Sequence, residues 1–180
     1  MEEILHRAKR TYNNEWLEGY YCKYKEKYVL TSELEIDDCI LTWIPDDGMM
    51  MYKIFPETIC PFTGMYDSTK WEDLTESEKK SFLSKWNHYK DRNNIPEDWI
   101  GKRIWKNDIV RHKESYTIGI VKWCQDDYVG WCVDDFVNGE QQFSKEMWKE
   151  CEVIGNIFDN PELLEPESQL NAMYYDKMKD

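Results

Sequence analysis

Residues 151–165, CEVIGNIFDNPELLE, carry the densest structural signal in the chain. Cys151 to Phe158 has the apolar content of a short buried strand, and a helix start is expected directly after it. Asn160 suits an N-cap, because its side-chain oxygen can accept from the free amides of a first helical turn. Pro161 fits the first helical position, and Glu162 and Glu165 suit the positive end of a helix dipole. Nothing in the block is catalytic in character, so its expected work is to close a fold.

Working back from it, the spacing predicts further strands. Ile104 to Val110 and Thr117 to Cys124 are strand-like, Gln125-Asp126-Asp127 is a turn, and Tyr128 to Val133 returns as the second arm of a hairpin. Phe136 to Phe143 contains the turn pair Asn138-Gly139. Several short strands at this spacing predict a small barrel. Ahead of them, in LTESEKKSFLSKWNHYK, Thr75 and Glu78 have capping-box spacing. Phe82, Leu83, Trp86 and Tyr89 follow at helical intervals, and Pro96 stops the helix by Asn94.

The opening third predicts β-structure again. Ile4 to Thr11 and Glu15 to Leu30 are extended around the turn Tyr12-Asn13-Asn14. Within GYYCKYKEKYVL, Tyr20, Cys22, Tyr24, Tyr28 and Leu30 share one face, and Lys23, Lys25 and Lys27 the other. Ile36 to Ile44 and Met49 to Ile54 flank the turn Pro45-Asp46-Asp47-Gly48. The expected fold is mainly β: N-terminal strands in residues 1–66, a helical insertion in 67–100, a barrel in 101–165, and a tail in 166–180.

The composition narrows the functions. Among 180 residues, 36 acidic against 23 basic side chains give a net charge of −13. Such a chain repels nucleic acid and anionic membrane at long range and attracts basic proteins. There is no apolar run long enough to span a bilayer, and MEEILHRAKR lacks the apolar core of a secretory signal. The scattered Cys22, Cys39, Cys60, Cys124, Cys132 and Cys151 are therefore expected to be reduced, buried thiols in a bacterial cytoplasm. The 9 Trp and 12 Tyr are read first as packing for a small β-rich core, and second as a stacking surface.

Taken together, ILHRAKR, EWLEGYY, PETICPFTG, KRIWKNDIV, GIVKW and the closing CEVIGNIFDNPELLE resemble the YopX family of phage and prophage proteins. The resemblance covers about residues 4–66 and 101–165. In that family a short turn joins the T-G motif to the D-I-V strand, whereas here Met65 to Trp99 interrupts the junction. The family tends to have Gly before D-I-V; this chain has Asn107, which tolerates a left-handed turn. The resemblance implies a mainly-β fold whose C-terminal part is similar to SH3-like barrels. It implies no common activity.

Motifs for chemistry are lacking. There is no phosphate-binding glycine loop, nucleophile elbow or H-E-x-x-H. His6, His88 and His112 fall on separate elements. Cys124 and Cys132 can approach across their hairpin, but with no second pair and no nearby His no zinc site is expected. Glu78-Lys79-Lys80 imitates a nuclease E-x-K, yet sits in a helix turn with a capping role. The expectation is no enzyme, no cofactor and no metal.

Two surfaces are candidates for binding. The acidic doublets Asp37-Asp38, Asp46-Asp47, Asp126-Asp127 and Asp134-Asp135 are candidate contacts to a basic partner, against the simpler reading that Asp favours turns. Lys23, Lys25 and Lys27 are candidate nucleic-acid contacts, against the simpler reading that they guard a strand edge. The expected function is an acidic accessory protein of a phage or mobile element that binds and inhibits a basic, nucleic-acid-handling host defence protein, such as a CRISPR effector nuclease. The alternatives are a nucleic-acid-binding barrel module and a phage assembly or scaffolding protein, and oligomeric state is open.

Overall fold

Alternating side chains, glycine turns and buried hydroxyls build two compact units, residues 1–62 and 63–180. The computed structural model describes residues 4–27, 34–44, 47–86, 99–126, 129–135 and 138–166. In the first unit β1 (Leu5–Lys9), β2 (Trp16–Lys27), β3 (Leu34–Ile44) and β4 (Gly48–Lys53) form an antiparallel sheet in the order β4-β3-β2-β1. The start of β5 (Cys60–Tyr66) pairs with β1 through His6–Pro61 and Arg7–Cys60. Ala8, Ile40 and Ile54 are buried together, with Leu17, Tyr21 and Ile59 packed on them. Gly19 permits this closeness, since a Cβ there would meet the Leu41 carbonyl oxygen at 2.3 Å. Buried Thr58 fastens the edge: its hydroxyl accepts from the Lys9 amide at 2.9 Å and donates to the Phe55 carbonyl at 2.7 Å.

In the second unit, β6 (Arg103–Trp105) turns tightly into β7 (Asp108–His112). Asn107 takes the left-handed conformation at φ 67°, as its short polar side chain allows. The fully buried Asp108 accepts from the Trp105 amide at 2.8 Å, closing the turn. Next come β8 (Ile118–Cys124), β9 (Gly130–Asp135) and β10 (Gly139–Gln142), a short helix α2 (Lys145–Lys149), and β11 (Cys151–Asn156). The sheet order is β10-β9-β8-β7-β11, antiparallel throughout. Ile104, Val110, Val121, Val133, Phe143 and Cys151 form its core. Gly119 is again a close approach: an added Cβ would sit 2.4 Å from the Val133 methyl.

The residues that follow β5 are joined to this sheet around one carboxylate. Asp67, only 3 % exposed, accepts from the Thr69 amide (3.0 Å), the Thr69 hydroxyl (2.7 Å), the Lys102 amide (2.7 Å) and the Val153 amide (2.9 Å). Beside it the Ser68 amide and hydroxyl both donate to the Cys151 carbonyl. Gly101, at φ 113°, is needed there because a Cβ would fall 2.0 Å from the Asp67 carbonyl oxygen. Helix α1 (Glu76–Trp86) begins with the expected capping box: Glu78 accepts from the Thr75 amide at 2.8 Å, and the Glu78 amide donates to the Thr75 hydroxyl at 3.2 Å. Phe82 meets Trp71 and Trp99 edge-on at centroid distances of 5.5 and 5.0 Å.

Several expectations change. The described strands form an open five-stranded sheet with β10 and β11 at its edges, and no hydrogen-bonded ladder closes it into a barrel among the described residues. Two elements went unforeseen. Pro61 and Gly64 disguise β5, where Gly64 adopts φ 82°, and α2 is too short to show a helical period. The closing block ends its strand at Asn156, and a 3-10 turn over Pro161–Leu164 replaces the expected α-helical start. Asn160 makes no side-chain cap; its oxygen accepts instead from the Asn156 amide at 3.4 Å. Gly155 leaves room for it, as a Cβ there would lie 2.6 Å from that oxygen.

The cysteine expectation is also corrected. Cys124 and Cys132 are joined by a disulfide, while Cys22, Cys39, Cys60 and Cys151 remain thiols. In the β8–β9 register Lys122 faces Cys132 and Cys124 faces Gly130. The two cysteines are therefore diagonal neighbours with Cα atoms 6.1 Å apart, within bonding reach.

Replacing Asp67 by Ala leaves three backbone amides and a hydroxyl without their acceptor. A loss of about 3 kcal/mol or more is expected in urea unfolding, with Asp67→Asn intermediate. Glu78 gives a pH signature. Burial raises its carboxyl pKa, but the Lys102 ion pair at 2.7 Å and the Thr75 hydroxyl and amide outweigh that and hold it at about 2, against an ordinary 4.5. A depressed folded pKa contributes stability that is complete above the unfolded value and lost as pH falls through the folded one. Glu78→Gln is therefore expected to flatten the fall in unfolding midpoint as pH drops from about 4.5 towards about 2.

Candidate partner-binding surfaces

The acidic doublets divide by duty. Asp38 accepts the Tyr21 hydroxyl and lies 3.9 Å from Lys23, and Asp37 pairs with Lys53 at 2.7 Å. Asp134 pairs with Lys122 across β8 and β9. Asp135 is buried and accepts from the Asn138 amide at 2.6 Å, closing the turn into β10. Asp47, beside Gly48 in the β3–β4 turn, and Asp126, after β8, are exposed. Asp46 and Asp127 lie outside the described residues. Four of the eight carboxylates thus satisfy local cations, hydroxyls or amides.

The lysine row shares its face with the core. Lys23 and Lys25 are exposed, and the alternation places them on the side of β2 that carries Tyr21. Lys23 stands opposite Asp38 and Lys25 opposite Ile36, while Lys27 is placed only by its register with Leu34.

The reverse face of the same sheet is the larger surprise. Tyr20 (42 % exposed) faces Leu41, which faces Met51; Trp43 (56 %) faces Met49 (54 %); and Tyr24 (43 %) faces Asp37. Cross-strand partners share a side, so Tyr20, Tyr24, Leu41, Trp43, Met49 and Met51 make one apolar surface. Asp37 lies on that face, and Asp47 lies in the turn at its end. The period of two was legible in the sequence, but it did not say which side would be covered. The informative signal was apolar residues on both faces of β2 and β3, together with the run Met49-Met50-Met51. Trp16, further along β2, carries the Arg7 guanidinium at 4.8 Å and the Lys9 ammonium at 5.3 Å from its ring centre.

The model of the YopX protein family matches residues 75–165. The chain belongs to the YopX family. The match begins at the capping residue Thr75, so it takes in the helix that the sequence suggested was an interruption, and it leaves out residues 4–66. Comparison with curated proteins and with solved structures gave no match.

Within the YopX-matched part, a polar cleft of about 420 Å³ is lined by His112, Thr117, Asp135, Gln141 and Glu150, among others. The Ser115 amide donates to His112 Nδ1 at 3.2 Å, which leaves the proton on Nε2, directed to Glu150 at 3.1 Å. Both ring nitrogens are engaged. Buried Cys151 is a poor nucleophile, because burial, with Glu150, Asp67 and Glu152 nearby, pushes its thiol up to about 12. His6 is half-buried in β1, and burial lowers its pKa; His88 is outside the described residues. Glu78 is held by Thr75 and Lys102, as a capping role requires. Among the described residues no helix is long and apolar enough to cross a membrane.

The Tyr21–Asp38 contact has a measurable consequence. The hydrogen bond to Asp38, with burial and that carboxylate's charge, pushes the Tyr21 phenol up to about 12 from 10.0. A raised folded pKa gives stability that is complete below the unfolded value and lost as pH climbs through the folded one. Tyr21→Phe is expected to remove a loss of stability between pH 10.0 and about 12, read as the alkaline limb of the thermal midpoint.

Proposed function

We propose that this YopX protein is a binding protein that does no chemistry, and that it attaches to a basic, nucleic-acid-handling host protein and blocks it. The observation that carries the reading is the exposed Tyr20, Tyr24, Trp43, Met49 and Met51 face in a chain of net charge −13. Aromatic and methionine side chains supply the central contacts of most protein interfaces, while surplus charge steers encounter and selects the sign of the partner. A host defence nuclease with a phosphate-binding groove, a CRISPR effector for example, is the partner class that fits. A phage or mobile-element setting agrees with it. The acidic doublets act in this reading mainly by their summed field, with Asp47 the member placed to touch the partner.

The order of the second unit, a four-strand meander (β7 to β10) with a fifth strand, β11, returning beside the first, supports treating it as a relative of the small SH3-like barrels. Nucleic-acid binding through Lys23 and Lys25 is the competing reading, favoured by the exposure of both side chains.

The test is affinity capture from a nuclease-treated bacterial lysate containing a CRISPR effector, compared with Trp43→Ala/Met49→Ala and with Lys23→Glu/Lys25→Glu. The expected result is one basic protein retained in stoichiometric amount and inhibited. Retention should fall at least about tenfold in the apolar variant, the loss of one hot-spot contact, and should persist in the lysine variant. Retention of nucleic acid alone, abolished by the lysine variant, would overturn the proposal.

A further inference from the structure

On the face of the second unit's sheet opposite Val121 and Val133, β8, β9 and β10 bring together Cys124, Cys132 and Glu140. The two sulfurs and a Glu140 carboxylate oxygen all lie within 4.8 Å of one another, and Cys124 Sγ is 3.4 Å from Glu140 Oε2. We infer that, once the disulfide is reduced, these three side chains form a binding site for a single thiolate-preferring divalent ion of the zinc class.

The spacing is that of a tetrahedral centre. With bonds of about 2.3 Å to sulfur and about 2.0 Å to oxygen, ligand atoms stand about 3.5 Å (S to O) and about 3.8 Å (S to S) apart. The 3.4 Å between Cys124 and Glu140 already matches the first. The second needs the sulfurs to separate by side-chain rotation over Cα atoms 6.1 Å apart, with no movement of the ladder. The neighbourhood is suitable as well. Cys124 and Cys132 are buried, and Glu140 is exposed on an edge strand, so the fourth position opens to water or to a group from another molecule. The nearby Asp134 is engaged by Lys122, which leaves Glu140 as the carboxylate that faces the sulfurs. The sequence alone argued against zinc because the third ligand, sixteen positions from Cys124, appears only when β10 folds back on β9.

The two states exchange with balanced chemistry. A small-molecule dithiol attacks the disulfide, gives up two electrons and two protons, and becomes a disulfide itself, leaving two protein thiols. The ion then displaces both thiol protons to solvent and binds two thiolates and the carboxylate. In the reverse direction a small-molecule disulfide accepts the two electrons and two protons from solvent, becoming a dithiol, and the ion leaves because the paired sulfurs lose the charge that held it.

The experiment uses the full chain, reduced with a dithiol, freed of excess reductant without oxygen, and titrated with Co²⁺. Reduced protein should give a near-ultraviolet thiolate-to-cobalt charge-transfer band that saturates at one equivalent and is displaced by one equivalent of Zn²⁺. Cys132→Ser should lose the band, and Glu140→Gln, at an exposed site that leaves folding intact, should weaken binding by at least about tenfold while keeping it. Cys22→Ser should change nothing. Absence of the band in the reduced wild-type chain, or a band that survives Cys132→Ser unchanged, would overturn the assignment.

Discussion

Four hydrogen bonds to the Asp67 carboxylate tie Thr69 next to it and Lys102, which leads into β6 beside β5, to Val153 in the middle of β11, a strand that pairs with neither β5 nor β6 among the described residues. A buried carboxylate is tolerable only when donors replace its lost water, and here both oxygens are supplied by groups that would otherwise be buried and unpaired. The tight passage of Gly101 against the Asp67 backbone and the double contact of Ser68 on Cys151 depend on the same placement. The capped helix and the Trp71, Phe82 and Trp99 cluster lie in the same unit as this junction.

The chain's acidity serves two scales at once. Locally, Asp38, Asp108, Asp134 and Asp135 each satisfy a hydroxyl, an amide or an ammonium. At long range the same residues leave an unbalanced field, with no acidic groove needed. In the proposed reading, the exposed aromatic and methionine face supplies shape and apolar area and the field decides what approaches it, so affinity and selectivity come from different residues.

The strands were legible where period and turn chemistry agreed. Gly48 marked its turn, Thr75 and Glu78 their helix, and the closing block its strand over Cys151–Asn156, whereas the stretch Ile104 to Val110, read as one strand, is split by the left-handed Asn107 into β6 and β7. Legibility stopped where a long-range partner decides the outcome. Asn160 has the composition of a cap, but Gly155 lets it turn back onto the Asn156 amide. Pro61 and Gly64 argue against a strand that β1 nevertheless pairs. Whether Tyr20 or Tyr21 points to the core, and whether Cys124 reaches Cys132, are questions of register that a period of two cannot answer.

The 86-residue separation between Asp67 and Val153 also orders events in time. The β8–β9 hairpin and the β1–β2 pair need only short loops, so they can form while the chain is still being made. The Asp67 junction cannot close until β11 exists. On a ribosome the helical segment therefore emerges long before its Val153 anchor, an interval in which chaperones and proteases have first access to it.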